Sequence, residues 1–85
     1  MNTSDVVTDR IHALLERYNP VRKSIAADTE LAGDLSIDST AAMNIIMEIE
    51  ESFGIDIPVN AVSELVTVDD LIELVRERIA SAAPI

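Results

Sequence analysis

Three stretches of this chain repeat aliphatic side chains at helical spacing, whereas only one short run alternates as a strand would. A lone strand has nothing to pair with, so the chain can bury its apolar residues only by packing helices together. From Ser4 to about Tyr18, the side chains of Val7, Ile11, Leu14, Leu15 and Tyr18 share one face, with Thr3 or Ser4 to cap the helix and Pro20 to stop it. From about Ser39 to Phe53, Ala42, Ile45, Ile46, Ile49 and Phe53 do the same, and Gly54 is placed to end the helix. The last helix opens at Thr67, whose Thr-x-x-Asp run to Asp70 forms a capping box, and turns Val68, Leu71, Ile72, Val75 and Ile79 inward. The alternating run Ile55, Ile57, Val59 is interrupted by Pro58 and reads as an extended connector, with Pro58 in the first turn of a short helix reaching about Leu65. The predicted fold is an all-α, up-and-down-like bundle of three main helices and one short helix.

A chain of 85 residues has room for one domain, with a core over about residues 4–80 and a frayed tail over 81–85. Between the first two long helices, residues 19–38 lose helical period, yet Val21, Ile25, Leu31, Leu35 and Ile37 remain apolar. A loop this long is uncommon in a compact domain unless it serves the function, and these side chains are expected to pin it to the core. With one Tyr and one Phe, that core must be aliphatic.

Absences narrow the function. There is no Cys, so no disulfide, Cys-based zinc site or resident thiol is available, and any thiol chemistry must be imported. A single His, His12, makes a catalytic triad or multi-histidine metal site a poor reading, and no metal ligand set is assigned. The net charge of −10 is concentrated: residues 24–75 hold twelve acids and no Lys or Arg, whereas Arg10, Arg17, Arg22, Lys23, Arg76 and Arg78 lie outside them. Such a field repels nucleic acid and anionic lipid and attracts basic protein surfaces. No apolar run approaches bilayer-spanning length, and the opening residues lack a basic region followed by an apolar one, so a monomer in the cytoplasm, without stable membrane insertion, is expected.

One hydroxyl stands out by position. Ser39 follows Asp38 where the long loop enters the second helix, and a helix N-terminus presents unpaired N–H groups and a partial positive charge that suit an attached phosphate. Asp38 stands where a carboxylate can support that modification and contact Mg²⁺. The same two residue types are also preferred N-caps, so the dipeptide alone leaves a purely structural role open.

The wider pattern is more specific. Thr29-x-Leu31-x-x-Asp34-Leu35-x-x-Asp38-Ser39, then Glu50-Glu51-x-Phe53-Gly54-Ile55-x-Ile57-Pro58, then Thr67-Val68-x-Asp70-Leu71 resembles the acyl carrier protein family over about residues 5–80. The resemblance implies a 4′-phosphopantetheine joined to Ser39 by a phosphodiester, with acyl groups held as thioesters on its thiol. It implies no enzymatic activity of the chain itself. The implied partners are a phosphopantetheinyl transferase, acyl ligases or synthases, and acyltransferases, with basic or apolar docking patches. Two places depart from the family pattern: Thr40 stands where Leu usually follows the serine, and Ser36 where Gly usually follows the Asp-Leu pair.

Ser39, Met43 and Met47 recur every four residues and form one stripe on the second helix. With Thr40, Asn44, Glu48, Glu51 and Val59 they make up the expected partner surface, although packing of the methionines and solvation of the acids are the simpler alternatives. Acids common in the family early in this helix and at the start of the short one are replaced by Ala41, Asn44, Val59, Asn60 and Ala61, a surface suited to specialised partners. Ile45, Ile46, Ile49, Val62 and Leu65 are candidates to line a pocket for an acyl chain. Function is thus read as acyl delivery in fatty-acid or specialised lipid synthesis. A peptidyl or polyketide carrier, and a non-covalent acidic adaptor in which Ser39 only caps a helix, remain alternatives.

Overall fold

The computed structural model describes residues 3–19 and 24–82. Four helices follow in order: α1 Thr3–Glu16, α2 Ser39–Phe53, α3 Val59–Val62 and α4 Val68–Ala82. Helix α1 packs on both α2 and α4. The core is aliphatic throughout. Val7, Ile11, Leu14 and Leu15 of α1 meet Ile45, Ile46 and Ile49 of α2 and Val68, Leu71, Ile72 and Val75 of α4, all buried. Tyr18 and Phe53 lie half-buried against its edges.

Local chemistry sets each boundary. Helix α1 stops at Glu16, two residues before the expected end at Tyr18; single turns carry the chain on, Tyr18 N–H donating to Leu15 O at 2.9 Å and Asn19 N–H to Glu16 O at 3.2 Å. Thr3 and Ser4, expected to precede α1 as its cap, already belong to the helix, which begins at Thr3, while the stop at Pro20 and the residues Val21, Arg22 and Lys23 lie outside the described residues. Helix α2 spans the range its spacing predicts and ends on Gly54 in the left-handed region at φ 63°, where Gly54 and Ile55 N–H both donate to Glu50 O. Helix α3 is shorter than expected. Pro58 is its N-cap, at φ −67° and ψ 142°, rather than its first helical residue, and after Val62 only single turns reach Leu65. No residue of α3 is fully buried; Val62 packs half-buried against the core and is its main apolar tether. At α4 the capping box closes: Asp70 N–H donates to Thr67 Oγ1 at 3.1 Å, and Asp70 Oδ2 accepts from Thr67 and Val66 N–H, both at 3.0 Å. Ser81, assigned to a frayed tail, is helical, because α4 runs to Ala82; residues 83–85 lie outside the described residues.

The long loop is pinned, as its apolar residues require. Leu35 and Ile37 are buried, and Ile25 and Leu31 pack against the core. Hydrogen bonds tie the loop to the start of α4: Leu31 N–H to Val66 O and Val68 N–H to Thr29 O, both 2.9 Å, around an isolated antiparallel bridge between Glu30 and Thr67. Buried Thr29 holds the loop from inside, its Oγ1 accepting from Ala26 N–H at 2.8 Å. Ser36 lies between the two buried side chains at φ 57°, in the left-handed region that favours glycine. That turn lets Leu35 and Ile37 both point inward, and it delivers Asp38 to the head of α2.

Candidate functional site

Asp38 settles the geometry around Ser39. Its backbone is extended, at φ −83° and ψ −178°, and its Oδ1 accepts from Ala41 N–H at 2.8 Å. Asp38 therefore takes the N-cap, a role that typically contributes about 1 kcal/mol of helix stability. Ser39 becomes the first helical residue, exposed, and among the described residues its hydroxyl makes no hydrogen bond. The first turn of α2 contains no acidic residue, so the positive end of the helix dipole faces solvent beside that hydroxyl. A phosphodiester on Ser39 Oγ fits this setting: the oxygen is accessible and uncommitted, and the helix N-terminus favours anionic charge. Among the described residues, no three His, Asp or Glu side chains gather into a metal site.

A cleft of about 160 Å³ runs inward from Ser39. Asp38 and Ser39 stand at its polar mouth; Ile45, Ile46, Val62 and Leu65 line it, as do Leu15, Leu31, Ala32, Ile37, Ala42 and Leu71. Ile49, grouped with the pocket on sequence, does not line this cleft. It is buried and faces α1, beside Ile11, Leu14 and Phe53, because the apolar face of α2 is shared between the cleft and the α1 contact. The contributions of Leu31 and Ile37 had a signal in the sequence, as apolar residues in a long loop; those of Leu15 and Leu71 had none beyond membership of a core face.

The remaining candidates divide. Met43 and Met47, 38% and 55% exposed, stand outside the core, and Val59 at the head of α3 is 69% exposed. Thr40, Asn44 and Glu51 are exposed as well. Glu48 is committed within the fold: it pairs with Arg17 and accepts from the Tyr18 hydroxyl at 3.1 Å, joining the end of α1 to α2. The Arg17 hydrogen bond holds the Glu48 carboxyl below its ordinary range, while desolvation, then the bond to Glu48, pushes the Tyr18 phenol up. Glu50 is committed too, its Oε2 accepting from the N–H of buried Ile57 at 2.9 Å. Arg10 lies over the Phe53 ring at 5.7 Å from its centroid, and His12 is half-buried at the edge of α1.

Residues 6–75 match the model of the phosphopantetheine attachment site family. An acyl carrier protein of Rickettsia canadensis is 33% identical over 79 residues, 92% of each chain. The chain belongs to the acyl carrier protein family. Phosphopantetheine is the cofactor of such carriers, and it supplies the thiol that this cysteine-free chain lacks. Solved structures agree on the helical bundle. A Mycobacterium tuberculosis protein assigned provisionally as an acyl carrier protein superposes with a TM-score of 0.77 at 28% identity, covering 84% of this chain and 96% of its own. An acyl carrier protein of Thermotoga maritima superposes at 0.74 with 18% identity, covering 91% and 94%, and supports the fold alone. Among the described residues, no helix of the carrier is long and apolar enough to cross a membrane.

Proposed function

We propose that Ser39 is the attachment point of 4′-phosphopantetheine and that the chain, a single carrier domain over residues 1–85, delivers acyl groups in fatty-acid or specialised lipid synthesis without catalysing a reaction itself. One observation carries this reading: Asp38 caps α2, so the neighbouring Ser39 hydroxyl is left exposed and uncommitted at the mouth of an aliphatic cleft. A structural cap would be the reverse, with the Ser39 oxygen engaged by an N–H group of the first turn.

The cleft favours a particular cargo. Beyond Asp38 and Ser39 every lining side chain is aliphatic. Each methylene buried there gains about 0.8 kcal/mol, whereas a cargo carbonyl or amide left without a partner costs about 1–3 kcal/mol. That balance supports fatty-acyl cargo over peptidyl or polyketide cargo. A phosphopantetheinyl transferase would act on Ser39 from coenzyme A, with Asp38 beside the site, and acyl ligases, synthases and acyltransferases would meet Thr40, Met43, Asn44, Met47, Glu51 and Val59 in the cytoplasm.

Ser39→Ala provides the test. The variant should melt as the parent does, because Asp38 supplies the cap, yet remain unmodified when incubated with coenzyme A and a broad-specificity transferase. Full modification of the variant would refute the assignment. Cargo class is tested separately: an octanoyl thioester on the arm should react with hydroxylamine more slowly than the same thioester on free pantetheine, and equal rates would exclude the cleft as its site.

A further inference from the structure

We infer that a second surface, the groove between α3 and α4, docks a basic amphipathic segment of a partner protein. The groove measures about 300 Å³. Ala61, Leu65 and Leu74, all half-buried, form an aliphatic floor, and Glu64, Asp70, Glu73 and Glu77 stand exposed along its rim. On α4 the positions 70, 73, 74 and 77 fall at i, i+3, i+4 and i+7, one stripe two turns and about 10.5 Å long, next to the stripe that faces the core. A helix carrying Lys or Arg at the same spacing around an apolar residue complements both floor and rim.

Charge selects this occupant over others. The bases of α4 are directed mostly elsewhere: Arg78 Nε donates to Asp56 O at 2.9 Å and an Arg76 guanidinium N–H to Thr8 Oγ1 at 3.2 Å, although Arg76 also meets the rim residue Glu73 in an exposed pair at 3.3 Å. The net charge of −10 adds a long-range field of the same sign, which attracts a cationic segment and opposes a second copy, nucleic acid or an anionic membrane. Helix α2 has no acid in its first turn, and Glu48 and Glu50 are tied to Tyr18, Arg17 and Ile57, which leaves Glu51; at the rim Asp70 caps α4 and Glu73 meets Arg76, and among the described residues Glu64 and Glu77 are left uncommitted. Leu65 also lines the Ser39 cleft, so a segment seated in the groove lies one side chain away from the cleft.

The test titrates the unmodified, isotope-labelled chain with a short amidated Lys–Leu peptide of amphipathic helical pattern, read by amide chemical shifts, and so does not depend on Ser39 being the attachment site. The expected shifts center on Ala61, Glu64, Leu65, Glu73, Leu74 and Glu77. The double variant Glu73→Gln, Glu77→Gln should weaken binding about tenfold, as the loss of two exposed charge pairs implies, while Asp28→Asn, at an exposed acid of the long loop, leaves it unchanged. Equal binding of a scrambled peptide of the same composition would overturn the inference, since the aliphatic floor would then contribute nothing. So would shifts confined to Met43, Met47 and Glu51, the same groove shifts on adding MgCl₂ alone, or concentration-dependent groove shifts in the chain by itself.

Discussion

Replacing Ser36 by glycine should stabilise this carrier, and the size of the effect follows from one dihedral angle. Ser36 is exposed at φ 57°, a conformation that costs an L-residue about 1–2 kcal/mol. Glycine removes that cost but gives the unfolded chain more freedom, which returns about 0.4–1 kcal/mol. The difference leaves a net gain of about 0.5–1 kcal/mol, or roughly 2–8 °C in the melting temperature of a domain this size. Leu35 and Ile37, on either side, keep their buried places because the backbone does not move. Thermal melts followed by circular dichroism, together with urea titrations, measure the change. The urea midpoint should rise with an unchanged slope, and Ser36→Ala should give no such gain, because alanine meets the same steric penalty. A Ser36→Gly variant no more stable than the parent would refute the reasoning that this loop stores backbone strain.

Other substitutions probe the rest of the frame. Glu50→Ala should lower stability by about 1–2 kcal/mol in urea titration, since it leaves the N–H of buried Ile57 without an acceptor, whereas Glu50→Gln should retain most of that stability. Leu71→Ala empties a site that is 1% exposed and shared by core and cleft, and should cost about 2–5 kcal/mol by the same assay. Hydrogen bonds from Thr67 N–H, then Val66 N–H, hold the Asp70 carboxyl below its ordinary value of 3.8. Because the folded value is depressed, its contribution is present above that ordinary value and is lost as pH falls through the folded one. Melting temperatures taken from neutral pH down through this range should therefore fall less steeply for Asp70→Asn than for the parent, and parallel curves would contradict the linkage.

Much of this fold was legible because its determinants are local. The ends of α2 follow from an Asp at the cap and a Gly after Phe53, and α4 from a Thr and an Asp three residues apart, interactions that a sequence displays directly. The pinning of the loop was legible from Leu35 and Ile37, but its partners were not, since the Glu30–Thr67 bridge joins residues far apart in the chain. Distance in sequence also hid the use of Glu48 by Arg17 and Tyr18, which made it look like a docking residue. Ile49 was misplaced for a different reason: helical spacing assigns a residue to the apolar face but does not say which neighbour that part of the face meets. Helix α3 was drawn too long because four residues with no buried side chain carry almost no periodic signal. At the candidate site, Asp38 and Ser39 were visible as a pair, and only the structure divides their roles between cap and exposed hydroxyl.

The most direct measurement is peptide-mapped mass spectrometry of the intact carrier after incubation with coenzyme A, Mg²⁺ and a phosphopantetheinyl transferase. The account predicts one phosphopantetheine per chain, located on Ser39. Modification at Ser36 or Thr40 instead, or a folded chain that stays unmodified with transferases from its own source, would contradict it.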